Sequence, residues 1–423
     1  MQEDFLHFIW KHKKFHQEQL ETTQYEPVEI WNVGTHNHNS GPDFFNAQIK
    51  IGDQLWAGNV EIHMNSSDWF QHNHENDPAY NNVILHVVYQ HDTEVFRSDN
   101  STLPTVELKP YLDERTVAGY RELFSKQDKW INCETHFSEV HGFTINNWLE
   151  RLFIERLERK SQTIFKLLEK TKNNWEAVLF VLLAKNFGLK VNGEAFQSLA
   201  ESLDFNVVRK VRSNQMAIEA LLFGQAGLLD GEQEDGYFKS LNKEYQFLNQ
   251  KFQLSNQGVL PIQFFRLRPQ NFPTLRLSQL ATLYHEEEHL FSQLMDLNKK
   301  EAFYKLLRKS TSPYWDSHYS FGKESKTSKK IMSKSFVDLL LINTIIPLKF
   351  AYYQSIGKDP SEDLFQLAHE IKPEKNHIVQ AFDQLKKVGF SSLQTQGLLQ
   401  LKTEYCDKNK CLQCAIGNAL IVK

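Results

Sequence analysis

Hydrophobic and polar positions alternate along residues 44–63, and that alternation predicts a β-hairpin. The first strand is expected over about Phe44 to Ile51, the turn at Gly52, Asp53 and Gln54, and the second strand over about Leu55 to His63. Pairing Ile51 with Trp56 gathers Phe45, Ala47, Ile49 and Ile51 with Trp56, Gly58, Val60 and Ile62 on one apolar face. The other face then carries Asn46, Gln48 and Lys50 with Asn59, Glu61 and His63. Asp43 stands at the mouth of the hairpin, within about one or two rungs of Glu61 and His63, which is inside cross-strand side-chain reach. Strict alternation places Asp43 on the apolar face, so the Gly41-Pro42 corner is expected to turn it back.

The same reading extends along the chain. Residues 3–20 have approximate helical spacing at Phe5, Leu6, Phe8, Ile9, Phe15 and Leu20. Val28 to Trp31, Val83 to Tyr89 and Thr105 to Leu108 are strand candidates, and Ser66 to Trp69 opens a short helix. From Thr144 the pattern turns helical: Trp148 toward Glu169, Trp175 to Phe187 with Gly188 as its cap, Val207 to Phe223, Tyr237 to Phe252 and Leu275 to Leu297. Residues 311–330 read as a polar loop, and Pro347 should kink or split Val337 to Tyr353. The expected class is α+β: an α/β N-terminal domain with a mixed sheet over residues 1–130, then a larger all-α domain over 131–423 that includes the C-terminal cysteines.

Composition sharpens this picture at two points. At 423 residues, 41% of them hydrophobic, the chain can bury two or three cores. The net charge of −4 hides an asymmetry: residues 1–130 hold 10 Lys and Arg against 20 Asp and Glu, whereas the remainder is net basic. Ten of the 17 histidines fall in the first hundred residues, so the acidic half suits metals and the basic half an anionic polymer. No basic segment followed by an apolar stretch opens the chain, and no apolar run approaches the ~20 residues of a membrane span. A cytoplasmic location, without membrane association, is the expectation.

Asp43, Glu61 and His63 are the primary candidate site. Two carboxylates at one end of a rigid hairpin suit Mg²⁺ or Mn²⁺, which keep several waters and few protein ligands. His38 lies in the loop beside Asp43 and is a candidate metal ligand. His36, His72, His74 and His86 form a second set, in which His-x-His spacing could bind Zn²⁺. Lone histidines are otherwise ordinary hydrogen-bonding residues.

The stretch resembles the PD-(D/E)XK nuclease core, in which Pro-Asp opens one strand and an acidic-x-Lys triplet lies on the next, antiparallel strand. Pro42-Asp43 and Glu61-Ile62-His63 match, with His63 in place of the lysine. The resemblance implies metal-dependent phosphodiester hydrolysis, with DNA as the expected substrate. The alternatives are a non-catalytic nucleic-acid-binding scaffold on a decayed nuclease core and a zinc-dependent hydrolase that uses the histidines. The whole chain also resembles a bacterial family, domain-of-unknown-function family 2851. That resemblance rests on the Gly-Pro-Asp-Phe and Val-Glu-Ile-His segments, Ser67-Asp68-Trp69, Leu85-His86-Val87-Val88, Arg268 to Pro273 and the terminal Tyr405 to Gly417.

Cys133, Cys406, Cys411 and Cys414 are the only cysteines. Three clustered thiols and one distant thiol make a complete ligand set for Zn²⁺ or an iron–sulfur cluster, or else they are packing residues. The layout is similar to that of iron–sulfur nucleases of the same superfamily. Its role would be to staple the end of the chain. For nucleic-acid binding the candidates are Arg266, Arg268 and Arg276 around a Pro-rich corner, and Lys323, Lys329 and Lys330 in a basic stretch interleaved with aromatics. Buried ion pairs and a solvated loop are the structural alternatives for these.

Overall fold

In a computed structural model of the chain, which describes residues 2–37, 39–125, 129–359 and 361–421, the alternating segment is a β-hairpin. Its strands join a mixed sheet built from β1 (Val28–Asn32), β2 (Thr35–His36), β3 (Phe44–Ile51), β4 (Gln54–Asn65), β5 (Val83–Gln90) and β6 (Thr105–Glu107). The order is β1-β3-β4-β5-β6, with β2 also pairing β3. β3 and β4 are antiparallel, whereas β4–β5 and β5–β6 are parallel. Parallel pairing requires a crossover. Between β4 and β5, residues 66–82 supply it, including the short helix α2 (Asp68–Gln71); the helix α1 (Glu3–Lys11) precedes the sheet and α3 (Glu114–Leu123) follows it.

The hairpin register differs from the alternation-based pairing. Ile51 pairs with Gln54 across a two-residue Gly52-Asp53 turn, so Trp56 lies opposite Ile49 and is 39% exposed. The left-handed φ of +58° at Gly52 permits that tight turn. A second shift falls between Phe44 and Ala47, where Asn46 takes φ 57°. This bulge adds a residue to β3 and reverses its facing, so that Phe44, not Phe45, enters the core. Asp43 is thereby turned toward Glu61. The bulge, together with the corner before it, does what strict alternation could not.

The chain divides into two compact units. The first comprises Met1–Trp148, Asp383–Lys386 and Gln400–Lys423; the second comprises Leu149–Phe382 and Lys387–Leu399. The C-terminal cysteines, grouped with the helical half in the sequence reading, thus return to the sheet-bearing unit. The reason is packing: Cys411 and Ile421 are buried in the same core as Phe5, Ile9, Val60 and Val87. α1 ends at Lys11, short of the expected residue 20, because Lys13 adopts φ 49°.

The second unit is helical, with one short hairpin among its described residues, His318–Ser320 and Lys323–Glu324. Trp175–Phe187 matches its predicted bounds and carries Gly188 as its cap. Two predicted helices are broken by local conformation. Val207 to Phe223 divides at Asn214, whose side chain caps Gln215–Gln225, and Leu275 to Leu297 divides at His289, at φ 52°. Pro347 is accommodated by a π-helical turn, Leu341–Ile345, rather than by a break. The stretch Lys334–Ser355 passes by length and composition as a membrane span, which the sequence reading did not anticipate. Of its apolar window, 72% is buried inside the protein.

Candidate metal centre

β4 is buried on both faces from Gly58 to His63. Val60 and Ile62 point into the core, which leaves Glu61 and His63 together on the opposite face. β5 adds His86 directly beside Glu61 in the parallel register. Asp43 and Glu61 then lock to each other through the backbone. Asp43 N–H donates to Glu61 Oε2 at 3.1 Å, and Ile62 N–H donates to Asp43 Oδ2 at 2.9 Å.

The crossover brings in the remaining groups. Asp92 accepts from Ser66 Oγ, Ser67 N–H and Ser67 Oγ, which fixes the start of α2. Asn73, at φ 60°, reverses the chain between His72 and His74. Both imidazoles consequently return to His63. His72 Nδ1 is 3.1 Å from His63 Nε2, and Glu61 Oε1 is 3.5 Å from His63 Nε2 and 3.3 Å from His74 Nε2. Tyr80 stacks on His74 with ring centroids 3.7 Å apart, and Trp69 meets His74 and His86. His63 Nδ1 faces His86 Nε2 at 2.9 Å.

These separations can be tested against a metal. Zn–N and Zn–O bonds of about 2.0–2.1 Å in a tetrahedron put neighbouring ligand atoms about 3.3 Å apart. The observed 3.1, 3.3 and 3.5 Å bracket that edge. His63, His72 and His74 place one ligand atom each within 4.8 Å of the others, and Glu61 Oε1 adjoins two of them. A donor set of three imidazoles and one carboxylate suits zinc or a similar transition ion better than magnesium.

A second group adjoins the first. Glu3 and His7 on α1 and Asp43 place one ligand atom each within 4.8 Å of the others. His7 Nε2 is 3.2 Å from Asp43 Oδ2. The sequence reading did not single out Glu3 or His7. The available signal was their i, i+4 spacing on the polar side of an otherwise apolar helix.

Protonation follows from crowding and burial. Burial, then the neighbouring Asp43 carboxylate, raises the Glu61 pKa far above the carboxylate range. Burial, then His74 and His72, pulls the His63 imidazole down to about 3. Burial likewise holds His86 well below its ordinary value. At neutral pH His63 is thus uncharged, with a lone pair to offer a cation. Burial alone would lower His7, but its hydrogen bond and charge interaction with Asp43 outweigh this and raise it.

Other sequence candidates are distributed more widely. His38 lies outside the described residues. His36 stacks on Phe44 at 4.7 Å, and His86 backs His63 from behind. Cys133, Cys406, Cys411 and Cys414 line one chamber of the first unit. Of the basic candidates, Arg276 is buried, stacked 3.7 Å from the Phe336 centroid and hydrogen-bonded to Gln279 and Asn271. Lys330 is also buried and donates to the Trp315 and Asp316 carbonyls. Both cations are buried, and the Arg276 Nε–H has no hydrogen-bond partner. Arg266, Arg268, Lys323 and Lys329 remain exposed, with Arg266 over the Phe265 ring and Lys329 paired to Asp316 at 2.6 Å.

Residues 3–377 match the family described as Protein of unknown function (DUF2851). The chain belongs to this family. The DUF2851 match takes in Asp43, Glu61, His63, His72, His74 and Cys133, and it ends before Cys406, Cys411 and Cys414. No curated protein and no solved structure matches the chain.

Proposed function

We propose that this DUF2851 protein is a metal-dependent hydrolase of phosphodiesters, a nuclease. The observation that carries the reading is the position of Glu61. One of its oxygens faces His63 and His74 while the other accepts the Asp43 N–H, so carboxylate and imidazole groups meet at one point of a rigid sheet. The resemblance of Pro42-Asp43 and Glu61-Ile62-His63 to a nuclease core supports the choice of substrate.

Glu61, His63, His72 and His74 would hold the ion, which when bound supplies Lewis acidity and a more acidic water. His86 holds the His63 ring in orientation. Asp43 and His7, 3.2 Å apart beside the ligand set, would take a proton from an approaching water and return one to a leaving oxygen. Tyr80 and Trp69, both buried, pack against His74 and His86.

A zinc-dependent hydrolase acting on a substrate other than nucleic acid is a second reading. The excess of acidic residues over basic ones in residues 1–130 favours it, because this charge repels a polyanion. One experiment separates the two. Purified protein is incubated with labelled single- and double-stranded DNA and RNA, and with a simple phosphodiester, in Mg²⁺, Mn²⁺ or Zn²⁺. Cleavage of nucleic acid that is lost in Asp43→Asn and Glu61→Gln supports the nuclease. Turnover of the small ester alone supports the second reading, and inactivity throughout removes both.

A further inference from the structure

The first unit holds a further cluster of side chains of a metal-ligating type, remote from Glu61 in sequence and unused by the proposed reaction. Cys133, Cys406, Cys411 and Cys414 converge on a single chamber, whose wall is completed by Leu401, Tyr405 and Ile416. All four thiols are free. They come from two parts of the chain, the segment after α3 and the C-terminal segment, which the fold brings together in one core.

The chamber is built for bound sulfur. Asn132 Nδ2 donates to Cys411 Sγ at 3.4 Å, and the backbone N–H groups of Gly417 and Ile416 reach the Cys414 sulfur. A Cβ at Gly417 would collide with the Cys411 carbonyl, so only glycine lets the helix Ala415–Ile421 start against this loop. Donors aimed at sulfur tune metal-bound thiolates. Four neutral packing thiols would have no need of them.

The spacing discriminates between a single ion and a cluster. Four sulfurs at about 2.3 Å from one zinc are about 3.8 Å from each other and leave no space between them. Here the chamber has room for a water-sized sphere. Among the described residues, no trio of cysteine sulfurs is among the ligand-atom groups that draw within 4.8 Å of one another. Four thiols that share one chamber without closing to the spacing of a single ion fit a polynuclear core whose irons each take one thiolate.

We propose that Cys133, Cys406, Cys411 and Cys414 ligate an iron–sulfur cluster that staples the C-terminal segment to the sheet-bearing unit. Assembly replaces four S–H bonds by four S–Fe bonds, with ferrous and ferric iron and sulfide supplied from outside, so that no electron leaves the protein, and the four protons are released to solvent. Loading should therefore release protons and be favoured at higher pH.

The test uses the full chain purified without oxygen and measures iron, acid-labile sulfide, zinc and visible absorption. The same protein, stripped, is then reloaded with ferrous and ferric iron plus sulfide or with zinc alone. The expected result is several irons per chain, a matching amount of sulfide and a broad visible band. Cys406→Ala and Cys411→Ser should lose most of the iron and the band. One zinc per chain without sulfide overturns the proposal. So does folded wild-type protein, judged by circular dichroism, that retains neither iron nor sulfide after reloading. The wild-type measurements decide the matter even if a variant does not fold, and none of these outcomes bears on the Glu61 site.

Discussion

His63 Nδ1 lies 2.9 Å from His86 Nε2 at the buried centre of the sheet, and this contact fixes which His63 nitrogen faces the other histidines. If Nδ1 carries the proton and donates to His86, the Nε2 lone pair points at the space shared with His72, His74 and Glu61. Removing such an outer partner typically weakens metal binding about 10- to 100-fold. His86→Leu should therefore lower zinc affinity by that factor in a competitive chelator titration, although it removes no ligand. His86→Gln keeps an acceptor and should recover most of the loss. Equal affinity in wild type and His86→Leu would remove His86 from the site.

The carboxylates lie deeper than the sequence implied. Asp43 and Glu61 read as polar residues at the open end of a hairpin. Instead, Glu61 is 5% exposed and each carboxylate accepts a backbone N–H. Asp43→Ala leaves the Ile62 N–H without its partner, which costs about 1–3 kcal/mol. Denaturant melts should show that loss, and Asp43→Asn should show less of it. Activity comparisons accordingly belong on Asn and Gln variants.

Much of this was legible in the sequence, for identifiable reasons. The apolar alternation at Ala47, Ile49, Ile51, Val60 and Ile62 specified the hairpin, because burial of one face enforces the period of two. The β-branched run from Val83 specified a buried strand. Register was not legible, because a bulge is set by one residue's φ and the pattern of side chains does not encode it. His72 and His74 were visible as His-x-His, but their return to His63 depends on the left-handed turn at Asn73. For Arg276 and Lys330 a phosphate-binding role and a structural one both stood open, because sequence does not report which carbonyls and amides lie around a cation.

That last point yields a prediction for the second unit. Arg276→Ala removes hydrogen bonds to Asn271 and Gln279 and a stacking contact with Phe336. The loss should be about 2–4 kcal/mol of stability, with Asn271 and Gln279 left unpaired. Arg268→Ala, at an exposed position, should be within about 0.5 kcal/mol of wild type. Thermal and denaturant melts of the two variants check this. A stable Arg276→Ala protein with weakened nucleic-acid binding would restore the phosphate-clamp role.

Glu219 gives a pH dependence independent of any metal. It is fully buried and accepts from Trp315 Nε1–H, and burial, partly offset by that bond, raises its carboxyl to about 7. A raised folded pKa means that the native state binds more protons than the unfolded state. Its stabilising contribution is complete below the ordinary carboxylate value, about 4.5, and is lost as pH rises through about 7. Stability of wild type relative to Glu219→Gln should therefore fall between pH 5 and 8, by up to about 3 kcal/mol. Urea melts across this range measure it, and a difference that does not change with pH would show that Glu219 is not protonated in the folded protein.

Asn46 is the most economical test of how the site is built. It holds φ 57° at the point where the β3–β4 register shifts, and that shift is what turns Asp43 to the side of Glu61. Asparagine tolerates the left-handed region better than most residues, and glycine enters it without steric cost. Asn46→Gly should leave stability near wild type and keep metal affinity. Asn46→Val puts a β-branched side chain where φ is positive, at a cost of about 1–2 kcal/mol. The strand can relieve that strain only by losing the bulge, which would restore strict alternation and swing Asp43 toward the core face. Two readouts then move together in the valine variant: the melting temperature falls, and the Asp43–Glu61 arrangement is lost, so metal-dependent cleavage falls more than zinc affinity does, because Asp43 is not among the four nitrogen and oxygen donors around the histidines. If the valine variant loses stability but keeps its cleavage rate per folded molecule, the bulge is a folding feature with no part in placing Asp43.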